Sequence, residues 1–288
     1  MIFNIVTDST ADLPESWTLA HDMQVLGLTV TLDGITYQTV GDKRLTSSDL
    51  LEKMREGSQP STSQINVGEF ENVFRQSVQI GKAVLYIAFS SVLSGTYQSA
   101  VMARDLVLED FPDAVIEILD TQAASMGEGY LVMKAVAVRD EGGSLEEVKA
   151  KVLDLAPRLR TLFLVDDLNH LMRGGRISKA SALIGGLVNI KPIIAIKADG
   201  YLGTVAKVRG KKKAKAEFIR LALEDLAGST LILAYSDDPK PAEELRVQLL
   251  ENPKVKEVQI YPLGPVISTH VGPGTLALFS IGKTKRTE

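Results

Sequence analysis

A run of hydroxyl side chains follows an apolar segment in the first half of the chain and is well suited to bind a ligand. The apolar segment covers residues 83–87, and the sequence SSVLSGTYQS follows it at 90–99. Ser94 and Thr96 offer neutral hydroxyl donors, while Gly95 allows a ligand to approach the backbone closely. Helical spacing begins after Thr96, so the run lies between a strand and a helix. Such a turn suits an anion, and it also suits a helix cap.

Two further polar turns occupy the same kind of position. Asp8, Ser9 and Asp12 follow the apolar segment 2–6, and residues 61–64 (Ser-Thr-Ser-Gln) precede a predicted helix. Their side chains either contact a ligand or cap the turn, and the sequence leaves both interpretations open. Ligands of open α/β sheets bind at the carboxyl ends of the strands. A site there would combine side chains from more than one of these turns.

The second half of the chain carries basic and imidazole side chains in unusual settings. His270 lies in the turn-forming sequence Ser-Thr-His-Val-Gly-Pro-Gly, either at a cleft or as a structural histidine. Arg173 and Arg176 flank two glycines, which indicates a tight turn that aims their side chains. Arg209 opens the basic run 209–215 (RGKKKAK) at the start of a predicted helix, where cations are unfavourable. Such runs are most often solvated helix starts.

Composition excludes several classes of function. The formal net charge of −4 argues against a general nucleic-acid binder, and a chain without cysteine has no thiolate nucleophile, disulfide or cysteine zinc site. The three histidines are too scattered for a metal cluster. No segment reaches the ~20 apolar residues of a membrane span, and the N-terminus lacks the basic region of a signal peptide. We expect a soluble cytoplasmic protein without a metal and without stable membrane insertion.

Motifs for nucleotide binding and for ester hydrolysis are missing as well. No Gly-x-Gly-x-x-Gly follows the first predicted strand, and Gly282-Lys283-Thr284 lacks the upstream glycine of a P-loop. No Gly-x-Ser-x-Gly elbow is present, which weakens a hydrolase interpretation.

The elements that must position these residues belong to the α/β class. Strand-length apolar segments alternate with helical segments over residues 1–158, which predicts a three-layer α/β/α domain with a parallel sheet. Residues 159–288 hold about six strands that include a hairpin, which predicts a second α/β domain with a mixed six-stranded sheet. In detail we expect one strand over 24–32, a hairpin turn at Asp33-Gly34 and a turn-rich segment over 265–274.

Five separated motifs together resemble one known family, the DegV family, over essentially the whole chain. In chain order the motifs are DSTADL at 8–13, TSQ at 62–64, SSVLSGTY at 90–97, LMRGGR at 171–176 and HVGPG at 270–274. The chain departs from the family pattern at Ile65, where proline often follows Thr-Ser-Gln. The resemblance implies the DegV-like fold, with two α/β domains and a long-chain fatty acid such as palmitate or oleate buried between them.

The resemblance also implies site residues and a partner. It assigns binding of the fatty acid to Thr62, Ser63, Ser94 and Gly95, with His270 near them. Proteins of the family that it resembles are the fatty-acid-binding subunits of bacterial fatty acid kinase. They have no catalytic centre and no cofactor of their own. They present the carboxyl group to a separate ATP-dependent kinase subunit, which makes acyl-phosphate for phospholipid synthesis.

By the same resemblance, Arg209 takes part in phosphotransfer or in contact with the kinase subunit, and we place Arg173 and Arg176 in the same group. Burial of a tail of about fourteen methylenes contributes about 11 kcal/mol, at about 0.8 kcal/mol for each. The head group then needs only enough hydrogen bonds to offset its desolvation. We therefore expect a site of neutral donors that leaves the carboxylate reactive toward a phosphoryl donor.

Two other functions are compatible with the same residues. A serine hydrolase acting on acyl esters would draw its triad from Ser94 or Ser91, His270, and one of Asp8, Asp12 or Asp120. A phosphate or nucleic-acid binder would use the basic residues named above, and its binding would weaken steeply with salt. The missing elbow disfavours the first function, and the acidic charge balance disfavours the second.

Overall fold

The computed structural model describes residues 2–178 and 189–286 of the 288-residue chain. The strands in this part are β1 (Phe3–Asp8), β2 (Gln24–Leu26), β3 (Thr29–Leu32), β4 (Ile35–Gln38), β5 (Ser61–Ser63), β6 (Ala83–Ala88), β7 (Ile116–Asp120), β8 (Leu159–Leu164), β9 (Ile190–Ile196), β10 (Leu202–Arg209), β11 (Thr230–Tyr235), β12 (Glu257–Pro262) and β13 (Leu276–Ile281). The α-helices are α1 (Glu15–Ala20), α2 (Ser47–Arg55), α3 (Val67–Gln79), α4 (Thr96–Asp110), α5 (Met126–Asp140), α6 (Leu145–Leu155), α7 (Asn169–Arg173), α8 (Lys211–Leu223), α9 (Lys240–Leu250) and α10 (Pro265–Val271). Short 3-10 turns cover Ser9–Ala11 and Ala156–Arg158. Within the described ranges, none of the helices is long and apolar enough to cross a membrane.

A four-stranded parallel sheet forms from the first half of the chain, in the order β2-β1-β6-β7. Every residue of β6 is buried, as expected for a central strand with helices on both faces. Val84 and Tyr86 of this strand pack with α3 and α4, whereas Leu85 and Ile87 pack with α5 and α6. The predicted parallel sheet between two helical layers is therefore confirmed.

A six-stranded sheet follows, in the order β10-β9-β8-β13-β11-β12. Only β11 and β12 pair in parallel and the other neighbours are antiparallel, so the predicted mixed sheet is confirmed. One face is covered by α8 and α9 through a cluster that includes Phe218 and Leu245. The opposite face shares a second cluster with Phe89, Leu93 and Met126 of the first half. The mixed sheet thus packs on residues that follow the strands of the parallel sheet.

The strand expected over 24–32 is two strands in two different sheets. β2 joins the parallel sheet, while β3 pairs with β4 and β5 in a separate three-stranded antiparallel sheet. The chain turns at Gly27, where an added Cβ would lie 2.7 Å from Cγ2 of Val40, and the N–H of Leu28 donates to Ser9 Oγ. The predicted hairpin turn at Asp33-Gly34 is present, with φ of 50° and 82°.

The segment expected to be turn-rich over 265–274 contains the helix α10. Pro265 occupies its first position, where a missing N–H leaves no unpaired donor, and Gly272 ends it with a φ of 75°. Although it belongs to the second half of the sequence, α10 packs against α2, β3, β5 and the turn Ser9–Ala11 of the first half. The helix therefore closes the gap between the two halves of the chain.

Candidate functional site

A cavity of about 320 Å³ lies between the two halves of the chain and is lined by residues of both. Its walls come from the ends of β5 and β6, the helix α10, and the segment around α7. The lining residues are Leu28, Thr62, Ser63, Gln64, Phe89, Leu93, Ser94, Gly95, Ala124, Phe163, Leu171, Arg176, Leu202, Val266, Ile267, His270 and Val271. Most of them are apolar, with a few polar groups, which is the composition of a pocket for a largely apolar ligand.

Four of the motifs bring polar side chains to this cavity, and three of them supply its hydroxyls and its imidazole. Thr62 Oγ1 and His270 Nε2 lie 2.8 Å apart, although the two residues are 208 positions apart in the sequence. Ser63 and Ser94 line the same space. Ser94 Oγ lies 2.9 Å from Thr96 Oγ1 and accepts the N–H of Thr96. The structure thus brings together the hydroxyls of two turns and the imidazole of α10.

Gly95, which lines the cavity as expected of a ligand-binding residue, also makes room for a neighbouring side chain. An added Cβ there would overlap the side-chain amide of Gln64, whose Nε2 donates to Ser99 Oγ at 2.9 Å. The missing side chain of Gly95 therefore admits Gln64, which belongs to the polar turn 61–64 and also lines the cavity. This packing fixes the Thr-Ser-Gln turn on the start of α4.

His270 is largely buried and uncharged at neutral pH. Burial and, to a smaller extent, the positive charge of Arg176 lower its pKa to about 4. Its Nε2 is bonded to Thr62, while its Nδ1 has no hydrogen-bond partner among the described residues. A neutral imidazole carries one proton, so this ring holds the hydroxyl of Thr62 in place without contributing a charge.

A cation nevertheless forms part of the cavity wall. The half-buried Arg176 donates from Nε to the carbonyl of Leu93 at 3.0 Å and from Nη1 to that of Gly174 at 2.5 Å. Burial lowers its pKa, although a guanidinium stays protonated. Within residues 2–178 and 189–286, no carboxylate lies at ion-pair distance from it. The cavity lining therefore holds a cation beside the expected neutral donors, although Arg176 was grouped with phosphotransfer or kinase contact.

Two glycine-containing motifs pack on each other through their histidines. An added Cβ at Gly174 would overlap Nδ1 of His270, and one at Gly272 would overlap the ring of His170. His170 in turn has its Nδ1 2.7 Å from Nη2 of Arg173. The glycines of LMRGGR and HVGPG thus make room for each other's imidazole rings. Spacing in the sequence gave no sign of this contact.

The three arginines that were grouped as residues for phosphotransfer or kinase contact are separated in the structure. Arg176 lines the cavity, whereas Arg173 is exposed beside His170. Arg209 is exposed at the end of β10 whose other end, Leu202, lines the cavity. Seven residues of strand correspond to about 23 Å. Arg209 therefore lies about that distance along the strand from Leu202 and is not among the lining residues of the cavity.

The catalytic triad of a serine hydrolase is not assembled in the described part of the chain. Ser91 Oγ donates to Asp120 at 2.6 Å, and Ser94 bonds to Thr96, so neither hydroxyl bonds to His270. Among the described residues no carboxylate orients the Nδ1 of His270. This geometry lacks the two hydrogen bonds that define the triad.

A buried acidic network joins Asp8, which the sequence offered as a ligand or cap residue, to Glu128, which the sequence analysis did not select. Asp8 accepts hydrogen bonds from Thr10 and, at 2.6 Å, from the hydroxyl of Tyr86. Thr10 Oγ1 also lies 2.9 Å from Glu128 Oε2. Glu128 is fully buried on α5, and desolvation raises its pKa well above the ordinary value. A charged residue within the small apolar sequence Met-Gly-Glu-Gly was the signal that this position is special.

The fold and the cavity define a class of protein, an α/β chain with one parallel and one mixed sheet and an apolar cavity between its halves. The family model described as "Uncharacterised protein, DegV family" matches residues 2–283. The chain belongs to the DegV family.

Relatives of high similarity extend over the whole chain. A DegV domain-containing protein of Streptococcus pyogenes serotype M1 is 57% identical over 286 residues, which is 99% of this chain and 100% of the relative. Among solved structures, a fatty-acid-binding DegV family protein from Thermus thermophilus has 34% identity and a TM-score of 0.88, covering 98% of this chain and 100% of its own. A stearic-acid-binding protein from Eubacterium ventriosum has 28% identity and a TM-score of 0.87, and the match covers 98% of this chain and 99% of that protein. These structural neighbours bind fatty acids.

Proposed function

We propose that this protein binds one long-chain fatty acid in the cavity and presents its carboxylate to a separate ATP-dependent kinase subunit, which forms acyl-phosphate. The carboxylate lies at the polar end, with Thr62, Ser63, Ser94 and the backbone near Gly95 as donors. His270 holds Thr62 in place. The hydrocarbon tail lies against the apolar walls.

The observation that carries the proposal is the bond between Thr62 and His270 at the border of an apolar cavity. Because His270 is neutral, its ring can donate from Nε2 to Thr62 Oγ1, which leaves the threonine proton free for an anion. Ser94 and Arg176 line the same cavity. A hydroxyl-rich polar end and a cation that has no carboxylate partner in the described part of the chain match a carboxylate with an apolar tail.

Mass spectrometry of a denatured extract of the purified protein tests the proposal first. We expect one fatty acid per chain, because burial of the tail contributes about 0.8 kcal/mol for each methylene. Double replacement of Thr62 by valine and Ser94 by alanine is expected to lower the retained amount, since two donors are lost. An empty protein that also fails to take up added oleate or palmitate would rule out fatty acid binding.

The separation of the arginines predicts two different defects. Arg176→Gln is expected to weaken fatty acid binding about tenfold through loss of a charged partner, and Arg176→Lys less, because the charge remains. Arg209→Ala is expected to bind fatty acid as the native protein does, since it lies away from the cavity. Fluorescence competition measures binding, and acyl-phosphate production with ATP and the kinase subunit measures presentation. Loss of binding in Arg209→Ala would contradict this division of roles.

We further propose a domain boundary near residue 158. The strands of the parallel sheet precede this point, and the six strands of the mixed sheet follow it. The helix α10 is the part of the domain 159–288 that reaches back to the domain 1–158. In the proposal, the fatty acid lies between these two domains.

A further inference from the structure

Asp12 lies outside the cavity lining and connects three segments of the chain. It ends the turn Ser9–Ala11 with a φ of 54°, a conformation that aspartate tolerates. Its Oδ2 accepts a hydrogen bond of 2.6 Å from Ser125 Oγ. Its Oδ1 packs against the backbone of Gly264, where an added Cβ would overlap it. One carboxyl group thus touches the residue before α5 and the residue before α10.

Both contacted segments lead directly into the cavity wall. Ala124, which lines the cavity, immediately precedes Ser125. Gly264 precedes α10, which places Val266, Ile267 and His270 on the wall. A displacement of Gly264 therefore moves the helix that carries His270.

The local conformation of both segments depends on contacts from other parts of the chain. Ser125 has a φ of 57°, which is strained for a residue with a side chain, and such a conformation persists only where surrounding contacts hold it. Gly264 has no side chain, so α10 begins without a side-chain cap from its own N-cap residue. Ser47 Oγ donates to the carbonyl of Leu263 at 2.6 Å and supports the same junction.

We propose that Asp12 is a positioning residue for the ligand site, which sets the place of α10 and hence the bond between His270 and Thr62. This inference rests on the proposed fatty acid binding. Asp12 touches neither the cavity nor the ligand. It acts through Ser125 and Gly264, which it holds at a fixed separation.

The test compares Asp12→Ala with Asp12→Asn. Asparagine keeps the size of the side chain and an oxygen that accepts from Ser125, so we expect fatty acid affinity within about threefold of the native protein. Alanine loses both contacts, and we expect affinity at least about tenfold weaker, since small displacements of binding groups have effects of this size. The ring signals of His270 in NMR spectra are expected to shift in Asp12→Ala and to return in Asp12→Asn.

Val148→Ala is the control for a general loss of stability. Val148 is buried in a hydrophobic cluster that contains none of the residues lining the cavity. It is expected to lower Tm without lowering affinity or moving the His270 signals. If Asp12→Ala matches Val148→Ala in affinity, the positioning role is disproved. If the native protein itself binds no fatty acid, the proposed function fails first, and the His270 signals still report whether Asp12 sets the place of α10.

Discussion

Replacing Gly174 by alanine is expected to abolish high-affinity fatty acid binding while leaving the protein folded. An added Cβ would overlap Nδ1 of His270, and this ring is buried and bonded to Thr62. Gly174 has an ordinary helical φ of −69°, so alanine introduces no backbone strain there. The whole effect therefore falls on the position of the imidazole. We expect roughly 100-fold weaker binding, because hydrogen bonds to a charged group contribute about 1.5–3 kcal/mol and the displaced ring no longer holds the hydroxyl of Thr62.

The neighbouring Gly175 provides the matched control. It has a φ of 73° and no atom within 4 Å of an added Cβ, so alanine there strains the backbone without touching His270. We expect Gly175→Ala to lower the free energy of unfolding by about 1 kcal/mol and to leave affinity nearly unchanged. Titration with a fluorescent fatty acid measures affinity, and urea unfolding measures stability. Equal affinities for the two variants would show that contact with His270 is unimportant.

The second large effect concerns Glu128, which we expect to tolerate glutamine and not alanine. Thr10 has one hydroxyl proton and contacts both Asp8 and Glu128, so one of these contacts needs a proton from a carboxyl group. Glutamine supplies N–H donors of the same shape. Alanine leaves a cavity and unpaired buried hydroxyls, which we expect to lower the free energy of unfolding by about 3 kcal/mol.

The same network predicts that stability falls as pH rises. Burial raises the pKa of Glu128 well above its ordinary 4.5 and that of Asp12 from 3.8 to about 8. At pH values between the pKa of each group in the unfolded chain and its pKa in the folded chain, the folded chain holds protons that the unfolded chain has lost. The free energy of unfolding therefore decreases with pH, by up to about 1.4 kcal/mol per pH unit for each retained proton.

Urea unfolding from pH 5 to pH 9 measures this slope. Glu128→Gln is expected to flatten it, because one of the groups that retains a proton is removed. The exposed Glu109→Gln removes the same charge at the surface and is expected to leave the slope unchanged. If the stability of the native protein rises over this range, the folded chain does not retain these protons.

Much of the fold followed from local patterns, because buried strands and their helices leave periodic signatures in the sequence. The run 83–87 was placed correctly as a buried strand for this reason. The strand over 24–32 was wrong because the break at Gly27 depends on Val40 and Ser9, which are distant in sequence. The helix α10 was missed since its proline and glycines resemble a turn until its packing against the first half is known.

For the candidate site too, residues within local motifs were predictable, whereas contacts between distant parts of the chain were not. Motif residues such as Thr62, Ser94 and His270 were selected from type and context, and the structure brings them to one cavity. The inward orientation of Arg176 was not predicted, because spacing beside two glycines does not reveal that its guanidinium reaches the Leu93 carbonyl. Glu128 was missed since a buried carboxyl is recognised only through partners that lie 118 or more positions away.

The contact between Thr62 and His270 also determines when the site can exist during synthesis. Its partners are 208 positions apart in the sequence. Contacts of such long sequence separation form late, because the connecting chain must first be ordered. The growing polypeptide therefore has no complete ligand site until the segment that carries His270 has been made and has packed against the turn at residues 61–64.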